Sequence, residues 1–343
     1  MAFNEKYLIE TFFRLVEVDS TTGKCDEIEK LVIKMLDELG FKPYLTHKGG
    51  ILLDLGGEGN PLVVTAHLDD IGLMVRHINS DGTLKACPIG GLYPTYSVTE
   101  NVRVYTRDGL VYTGVVGRNP NSIHVSEDEL RKTPADFDKD VRVVLDEDAK
   151  NQDDVRKLGI ESGDFIALEP RTEYTNGYLK SRFIDDKASV AILFNVLKTI
   201  KEEKPSLKRK VYFYFSEYEE IGHGTSWLPE GIKDILAVDI APIGEEQTSD
   251  EKKVTIFAKD SRYPYHYEMA NELRALAIKN KIDYVIDVFT PHYGSDGNTS
   301  IVAGHDVRHA AIGFGTLNSH GYERTNIKGL KETYKLLISY IFA

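Results

Sequence analysis

The sequence predicts an α/β protein that carries an inserted, mostly β segment, and two observations support this prediction. Amphipathic helical patterns alternate with short apolar runs typical of buried strands near both ends of the chain. Between residues 75 and 164 these patterns give way to short β-rich runs separated by glycine and proline. We therefore expect a discontinuous main domain, residues 1–74 with 165–343, and an inserted subdomain, residues 75–164.

The element predictions follow from apolar spacing and turn residues. Residues 26–39, for example, place apolar side chains at helical intervals and stop at Gly40, whereas Asp108 and Gly109 mark a hairpin turn. A further helix follows Asp186. The other predicted helices span residues 4–18, 151–158, 265–279 and 323–341, and the predicted strands span 51–55, 62–66, 102–106, 111–116, 141–145, 164–168, 208–215, 235–240, 254–258 and 308–314.

Composition excludes several classes of protein. The 343 residues include 42 basic and 54 acidic ones, and this net charge of −12 argues against a surface for nucleic acid or anionic membrane. Two cysteines form no disulfide framework. The first residues lack the pattern of a signal peptide, and no apolar run reaches transmembrane length. We expect a cytoplasmic protein that binds neither nucleic acid nor membrane.

A histidine and an aspartate end the predicted strand 62–66. His67 and Asp69 lie two residues apart, so their side chains can point to the same side of the strand. A lone histidine is more often a structural residue than a ligand. A carboxylate at this spacing is, however, the usual partner that orients a metal-bound imidazole.

Carboxylates also follow or interrupt other predicted strands. Glu219 and Glu220 follow the strand 208–215, although an acidic pair can equally be a solvated helix cap. Asp239 interrupts a core strand, where an aspartate needs a cation or a cap. An N-cap role would fully account for Asp186 but less well for Asp185, which follows an apolar pair.

Together these residues indicate a metal site. Loops at strand ends are where sites form in open α/β sheets, and two histidines with several carboxylates are the ligand chemistry of a binuclear zinc, cobalt or manganese site. Neither GxxxxGK[ST] nor GxSxG occurs, which excludes a P-loop and a nucleophile elbow. The candidate residues are His67, Asp69, Asp185, Glu219, Glu220, Asp239 and His320.

Six motifs in order resemble metallopeptidase family M42, which includes glutamyl aminopeptidases, TET aminopeptidases and members described as endoglucanases. The motifs are HLDDIG, IDDKA, EYEEIG, AVDIAP, GSDG and SHGYE, and the resemblance covers essentially the whole chain. It implies a three-layer α/β/α zinc-peptidase-like catalytic domain and a barrel-like insertion that mediates association. It also implies a homo-oligomer, from a dimer up to a tetrahedral dodecamer, that acts on short peptides.

The same resemblance implies individual roles. Glu219 would be the general base, and Asp69 would orient His67. Two divalent metal ions would be bound, with zinc expected first and cobalt or manganese as alternatives. The implied ligands are Asp185 as the bridge, His67 and Asp239 on one side, and Glu220 and His320 on the other.

Three departures from the family pattern affect specificity rather than the ligands. Asp70 stands where glutamate is common, Ser295 replaces a threonine before Asp296, and the last motif reads HGYE instead of HSPxE. Arg262 or His292 could favour acidic N-terminal side chains, although an arginine is more commonly part of a surface salt bridge.

The leading functional hypothesis is an aminopeptidase, and three alternatives stay open. A deacylase of a small amide would use the same site. Glycan hydrolysis could use an acid pair but would leave the histidines without a purpose. A metal-stabilised scaffold or binding module predicts an incomplete set of ligands or base, whereas here all are present.

Overall fold

The chain folds as two compact units. The structure, a computed structural model, describes residues 2–120, 122–126 and 133–343. One unit comprises residues 1–69 and 171–343, and the other comprises residues 70–170. This second unit is longer at both ends than the predicted insertion, because its first strand begins at Gly72 and its last strand ends at Leu168. Its role in association stays a prediction.

The first unit is built on an eight-stranded sheet in the order β1-β2-β12-β3-β13-β16-β14-β15. The strands β12, β3, β13 and β16 run parallel to their neighbours in this set. The bounds are β1 Tyr44–Leu45, β2 Ile51–Gly56, β3 Leu62–His67, β12 Val211–Ser216, β13 Asp234–Pro242, β14 Val254–Lys259, β15 Tyr284–Val288 and β16 Arg308–Thr316. All six residues of β3 are buried, which explains its nearly continuous apolar sequence.

Helices cover this sheet. Their bounds are α1 Glu5–Val16, α2 Asp26–Glu38, α5 Ile184–Glu203, α6 Tyr267–Lys279, α7 Asp296–Val302 and α8 Ile327–Ile341. Helix α5 packs against α1, α8 and the strands β3 and β13, and α8 packs against α6. Every residue of α5 from Ile184 to Leu197 is buried, because the helix packs against two other helices and against the sheet. No helix in the described ranges is long and apolar enough to cross a membrane.

A small sheet in the order β10-β11-β17 belongs to the same unit. Its strands are β10 Glu173–Thr175, β11 Tyr178–Ser181 and β17 Glu323–Asn326. The prediction of a helix over 323–341 is therefore wrong at its start. Residues 323–326 pair antiparallel with β11, and Asn326 caps α8 by accepting the N–H of Lys328.

The second unit contains a closed barrel in the order β4-β5-β8-β7-β6-β9. Its elements are β4 Gly72–Ile78, β5 Leu84–Ile89, α3 Pro94–Ser97, β6 Asn101–Tyr105, β7 Val111–Arg118, β8 Val141–Leu145, α4 Gln152–Lys157 and β9 Phe165–Leu168. The predicted hairpin is present as β6 and β7, with Gly109 at φ +82° in the turn. The α/β class and the β-rich insertion are confirmed.

Candidate metal centre

The candidate site lies at the carboxyl ends of the parallel strands. Strand β3 ends at His67, whose register partner Ser216 ends β12. Asp239 lies near the end of β13, opposite Gly313 of β16. The close approach of these two strands leaves no room for a side chain at position 313, where a Cβ atom would lie 2.0 Å from the carbonyl oxygen of Asp239. Parallel sheets form sites at this edge.

Two groups of buried or half-buried ligand atoms meet here. One group comprises His67, Asp186 and Asp239, and the other comprises His67, Asp185 and Glu220, with all ligand atoms of a group within 4.8 Å of one another. His67 Nε2 lies 3.1 Å from Asp185 Oδ1.

His320 approaches the second group from the loop before β17. Its Nε2 lies 3.6 Å from Asp185 Oδ2 and 3.5 Å from Glu220 Oε2. The carboxylate of Asp185 thus faces one histidine with each oxygen. The structure therefore brings together the five side chains that the family resemblance implied as ligands.

Asp186 has a different place from the N-cap that was expected. Its Oδ2 accepts the main-chain N–H of His67 at 3.1 Å, and its side chain is almost completely buried. Its Oδ1 has no hydrogen-bond partner among the described residues. An unpaired buried carboxylate oxygen is costly, so this atom is a further candidate for contact with a cation.

The carboxylate of Asp69 binds the turn that carries Glu219 and Glu220, called the acidic turn below, rather than the ring of His67. His67 Nδ1 lies 2.9 Å from the main-chain oxygen of Asp69 but 3.7 Å from its Oδ1. The carboxylate instead accepts the hydroxyl of Thr22 at 2.8 Å and the main-chain N–H groups of Glu219 and Glu220 at 3.2 and 3.3 Å. The nearest partner of His67 Nδ1 is thus the carbonyl group of Asp69 and not its carboxylate, which was the expected partner, and the role of Asp69 in orienting His67 stays a prediction.

Glu219 lies beside the ligand atoms on a short 3₁₀ turn, Glu219–Ile221. Its Oε2 is 3.8 Å from His67 Nε2, and its side chain is 12% exposed. The turn follows Tyr218, which adopts φ +67°, a left-handed conformation that is rare for a residue with a side chain. Phe183, before Asp185, and His320 itself are also left-handed. Such backbone strain is concentrated at functional sites.

Burial makes negative charge costly in this cluster of carboxylates, and a bound cation would offset that cost. Burial raises the pKa of Glu219 and Glu220 well above their ordinary values, and it raises the pKa of Asp239 to about 7. Burial alone would also raise the pKa of Asp185, but its contacts with His320 and His67 outweigh burial and lower it. Imidazole nitrogens and carboxylate oxygens are suitable ligands for zinc, cobalt or manganese, so the residues fit a divalent metal centre.

Two buried carboxylates that support the site were not predicted as site residues. Asp296 accepts the hydroxyl groups of Thr65 and Ser216 through Oδ2, and it accepts the N–H of Thr225 at 2.9 Å through Oδ1. Glu323 accepts the main-chain N–H groups of Asp185 and His320. The only signal in the sequence was their position in the GSDG and SHGYE motifs.

The two residues considered for specificity lie in different surroundings. Arg262 Nη2 is 3.3 Å from the position that a Cβ atom would take on Gly222, which follows the 3₁₀ turn. His292 is exposed on the segment before Tyr293. Arg262 is therefore the one that the structure places beside the acidic turn.

Comparison with known proteins gives a consistent answer. A family model described as M42 glutamyl aminopeptidase matches residues 49–336. The protein YhfE of Bacillus subtilis, whose given name proposes an aminopeptidase, is 38% identical over 337 residues, which cover 97% of this chain and 96% of YhfE.

Solved structures share the fold. The TET1 peptidase of Pyrococcus horikoshii matches with a TM-score of 0.84 at 23% identity, over 98% of this chain and 99% of that one. An aminopeptidase of Desulfurococcus kamchatkensis matches with a TM-score of 0.85 at 22% identity, over 98% and 95%. The expected three-layer α/β/α zinc-peptidase-like fold is confirmed. The chain belongs to the M42 glutamyl aminopeptidase family and is a hydrolase of peptide bonds.

Proposed function

We propose that this protein is an aminopeptidase that uses two divalent metal ions to remove N-terminal residues from short peptides. The observation that carries the proposal is the convergence of two imidazole nitrogens and several carboxylates beside Glu219. The M42 family, to which the chain belongs, is metal-dependent. Zinc is the first choice, and the same ligands suit cobalt or manganese.

The residues would divide between the two ions as follows. Asp185 would serve both, because its Oδ1 faces His67 Nε2 at 3.1 Å and its Oδ2 faces His320 Nε2 at 3.6 Å. His67 and Asp239 would complete one side, whereas Glu220 and His320 would complete the other. The unpaired Oδ1 of Asp186 supports a cation close to His67.

The reaction would need one proton-transfer group, and Glu219 is placed for it. When bound, the metal ions would polarise the scissile carbonyl group and lower the pKa of a water molecule. Glu219 would accept a proton from the attacking water and pass it to the leaving amine. Asp69 would keep Glu219 in place by accepting its main-chain N–H at 3.2 Å.

The test is hydrolysis of a panel of aminoacyl-p-nitroanilides and unblocked short peptides. Protein stripped of metal would be assayed alone and after addition of zinc, cobalt or manganese. Glu219→Gln would be compared with Glu58→Gln, which changes an exposed loop carboxylate outside the site. We expect cleavage that depends on added metal, is lost in Glu219→Gln, and is kept in Glu58→Gln.

The opposite outcome is equally clear. Two bound metal ions per chain without cleavage of any aminoacyl substrate or short peptide would refute the aminopeptidase proposal. Hydrolysis of small acylated amides by the same protein would then identify a deacylase. Full activity of Glu219→Gln would refute the role of this residue as general base.

The position of Arg262 supports a preference for acidic N-terminal side chains. Asp260 Oδ1 accepts the main-chain N–H of Arg262 at 2.9 Å and so fixes the loop that carries the guanidinium beside Gly222. Arg262→Gln should lower kcat/KM for a glutamyl substrate relative to a leucyl one by about tenfold or more, because a hydrogen bond to a charged group contributes about 1.5–3 kcal/mol. Arg274→Gln, an exposed helical arginine, is the control. An unchanged ratio would exclude this role.

Association into a homo-oligomer is a further part of the proposal. The second unit exposes apolar side chains, for example Tyr93 at 63% and Val125 at 84%. Exposed apolar groups support an interaction surface when they are contiguous. The Pyrococcus horikoshii TET1 peptidase assembles into a tetrahedron or a large octahedral shell. Sedimentation analysis would test the proposal, and a monomer at micromolar concentration would refute it.

A further inference from the structure

Glu323 occupies a position between two segments that carry candidate ligands. It is the first residue of β17, where it is the register partner of Ser181 at the end of β11. Its side chain is almost completely buried, with 1% of its surface exposed. It lies outside both groups of ligand atoms described above.

Each oxygen of this carboxylate accepts a different main-chain N–H. Oε2 accepts the N–H of Asp185 at 3.0 Å, and Oε1 accepts the N–H of His320 at 2.9 Å. The side chains of the same two residues approach each other at the candidate centre, where His320 Nε2 lies 3.6 Å from Asp185 Oδ2. One carboxylate therefore joins the backbones of two residues whose side chains must meet.

Each of the two segments, the one at Asp185 and the one at His320, contains a residue in the left-handed conformation. His320 itself has φ +61°, and Phe183, two residues before Asp185, has φ +65°. Left-handed residues with side chains cost of order 1–3 kcal/mol and persist only where the surroundings determine them. The two hydrogen bonds that Glu323 accepts are such a restraint, since they fix the N–H groups of Asp185 and His320.

The carboxylate has a property that an isosteric amide lacks. It offers two acceptor oxygens, whereas glutamine offers one acceptor and an NH₂ group that would face an N–H donor. A residue that only filled space could be glutamine without loss. Glu323 is therefore suited to setting the separation of the two backbones rather than to packing alone.

We propose that Glu323 is a positioning residue for the candidate metal centre. By holding the N–H groups of Asp185 and His320, it sets how closely the two side chains approach and hence how tightly the site binds metal. This inference rests on the proposed function, because it takes Asp185 and His320 as ligands. Residues that orient ligands in this way typically change metal affinity by 10–100-fold when they are replaced.

The test compares three variants by cobalt binding. Glu323→Gln removes one acceptor, and Glu323→Asp keeps both but shortens their reach. Glu332→Gln is the matched control, because Glu332 is also a buried carboxylate that accepts a main-chain N–H, from Asp283 at 3.1 Å, and it lies on α8. Metal-free protein would be titrated with Co²⁺ against a competing chelator, following the visible d–d absorption, and its thermal midpoint would be recorded.

We expect Glu323→Gln to bind Co²⁺ about tenfold or more weakly, with an altered d–d spectrum, and to lower kcat more than it raises KM. Glu332→Gln should bind Co²⁺ as the wild type does, even if its metal-free thermal midpoint falls as far. Wild-type cobalt affinity in Glu323→Gln would overturn the proposal. If that variant does not fold, wild-type affinity in Glu323→Asp would overturn it equally.

The outcome separates this inference from the proposed function. A wild-type protein that binds Co²⁺ but cleaves no aminoacyl substrate would refute the aminopeptidase, while weaker binding by Glu323→Gln would still support the positioning role. A wild-type protein that binds no Co²⁺ would refute both.

Discussion

Asp234 is expected to contribute substantially to the stability of the first unit through two ion pairs. It begins β13 and is 2% exposed. Arg308 donates to it twice, from Nε to Oδ1 and from Nη2 to Oδ2, both at 2.8 Å, and Arg209 Nη2 donates to Oδ2 at 2.6 Å. Asp234→Asn keeps the shape of the side chain but removes its charge and one acceptor.

The expected loss follows from the burial of the three groups. Removing one partner from a buried ion pair costs about 3–5 kcal/mol, because the remaining charge is left unpaired. Water reaches Arg308, whose side chain is 34% exposed, better than it reaches Arg209, which is 16% exposed. We therefore expect the free energy of unfolding to fall by about 2–4 kcal/mol, somewhat less than for a fully buried pair.

Urea denaturation followed by tryptophan fluorescence is a suitable assay. The chain has one tryptophan, Trp227, which belongs to the same unit as Asp234 and packs edge-on against Tyr214. The control is Glu38→Gln, because Glu38 pairs with Arg14 at 3.4 Å on the surface, where about half of each side chain is exposed. Such a pair contributes about 0–1 kcal/mol.

The pH dependence has a defined sign. Burial alone would raise the pKa of Asp234, but the hydrogen bonds from Arg308 and Arg209 outweigh it and lower the pKa. The stabilisation is therefore present above the unfolded-state pKa of about 3.9 and is lost as the pH falls through the folded value. The difference between wild type and Asp234→Asn should be constant from about pH 7 to 5 and shrink below about pH 4. A loss under about 1 kcal/mol at pH 7, or a difference that grows with acid, would refute this reasoning.

Three further outcomes are expected. Gly224→Ala should lower the free energy of unfolding by about 1–3 kcal/mol in the same urea assay, because the new methyl group would lie 2.2 Å from Asp296 Oδ1. The control is Gly244→Ala, which should change this free energy little, because the nearest neighbour of its new methyl group would be Gln247 Cγ at 3.7 Å. Tyr334→Phe should cost about 1 kcal/mol, since it leaves the Thr199 hydroxyl without its 2.7 Å partner; a zero loss would contradict this. Chelation should lower the thermal midpoint measured by calorimetry, and added zinc should restore it, because ligands that bind the folded state stabilise it; an unchanged midpoint would argue against a metal site.

Local patterns were sufficient to predict much of the fold. Apolar spacing placed α2 close to its observed bounds of Asp26–Glu38, and the Asp-Gly turn placed the hairpin of β6 and β7. The start of α8 was misplaced because residues 323–326 are held as a strand by pairing with β11, an interaction distant in sequence. The order of strands in the barrel likewise depends on pairings such as Leu84 with Val143, which no local pattern specifies.

The candidate site shows the same division. His67 and Glu219 could be singled out because a polar residue at the end of a buried strand is unusual without a function. The role of Asp186 could not be predicted, because its carboxylate accepts an N–H from a distant strand rather than from its own helix. Glu323 and Asp296 were missed as site residues for a related reason, since Glu323 joins the nearby His320 to the distant Asp185, and Asp296 accepts from Thr225 in another segment of the chain.

The division of the first unit by the insertion has a consequence for biosynthesis. His67 precedes residues 70–170, and the other candidate ligands follow them. While the ribosome is still making the chain, an emerging polypeptide offers His67 and Asp69 without their partners, and the contiguous barrel can form first. The pairing of β3 with β12 and β13 must then span the whole insertion, and such distant contacts form slowly. The candidate ligands therefore come together only when the first unit has folded, so a complete candidate metal centre belongs to the folded protein and not to the nascent chain.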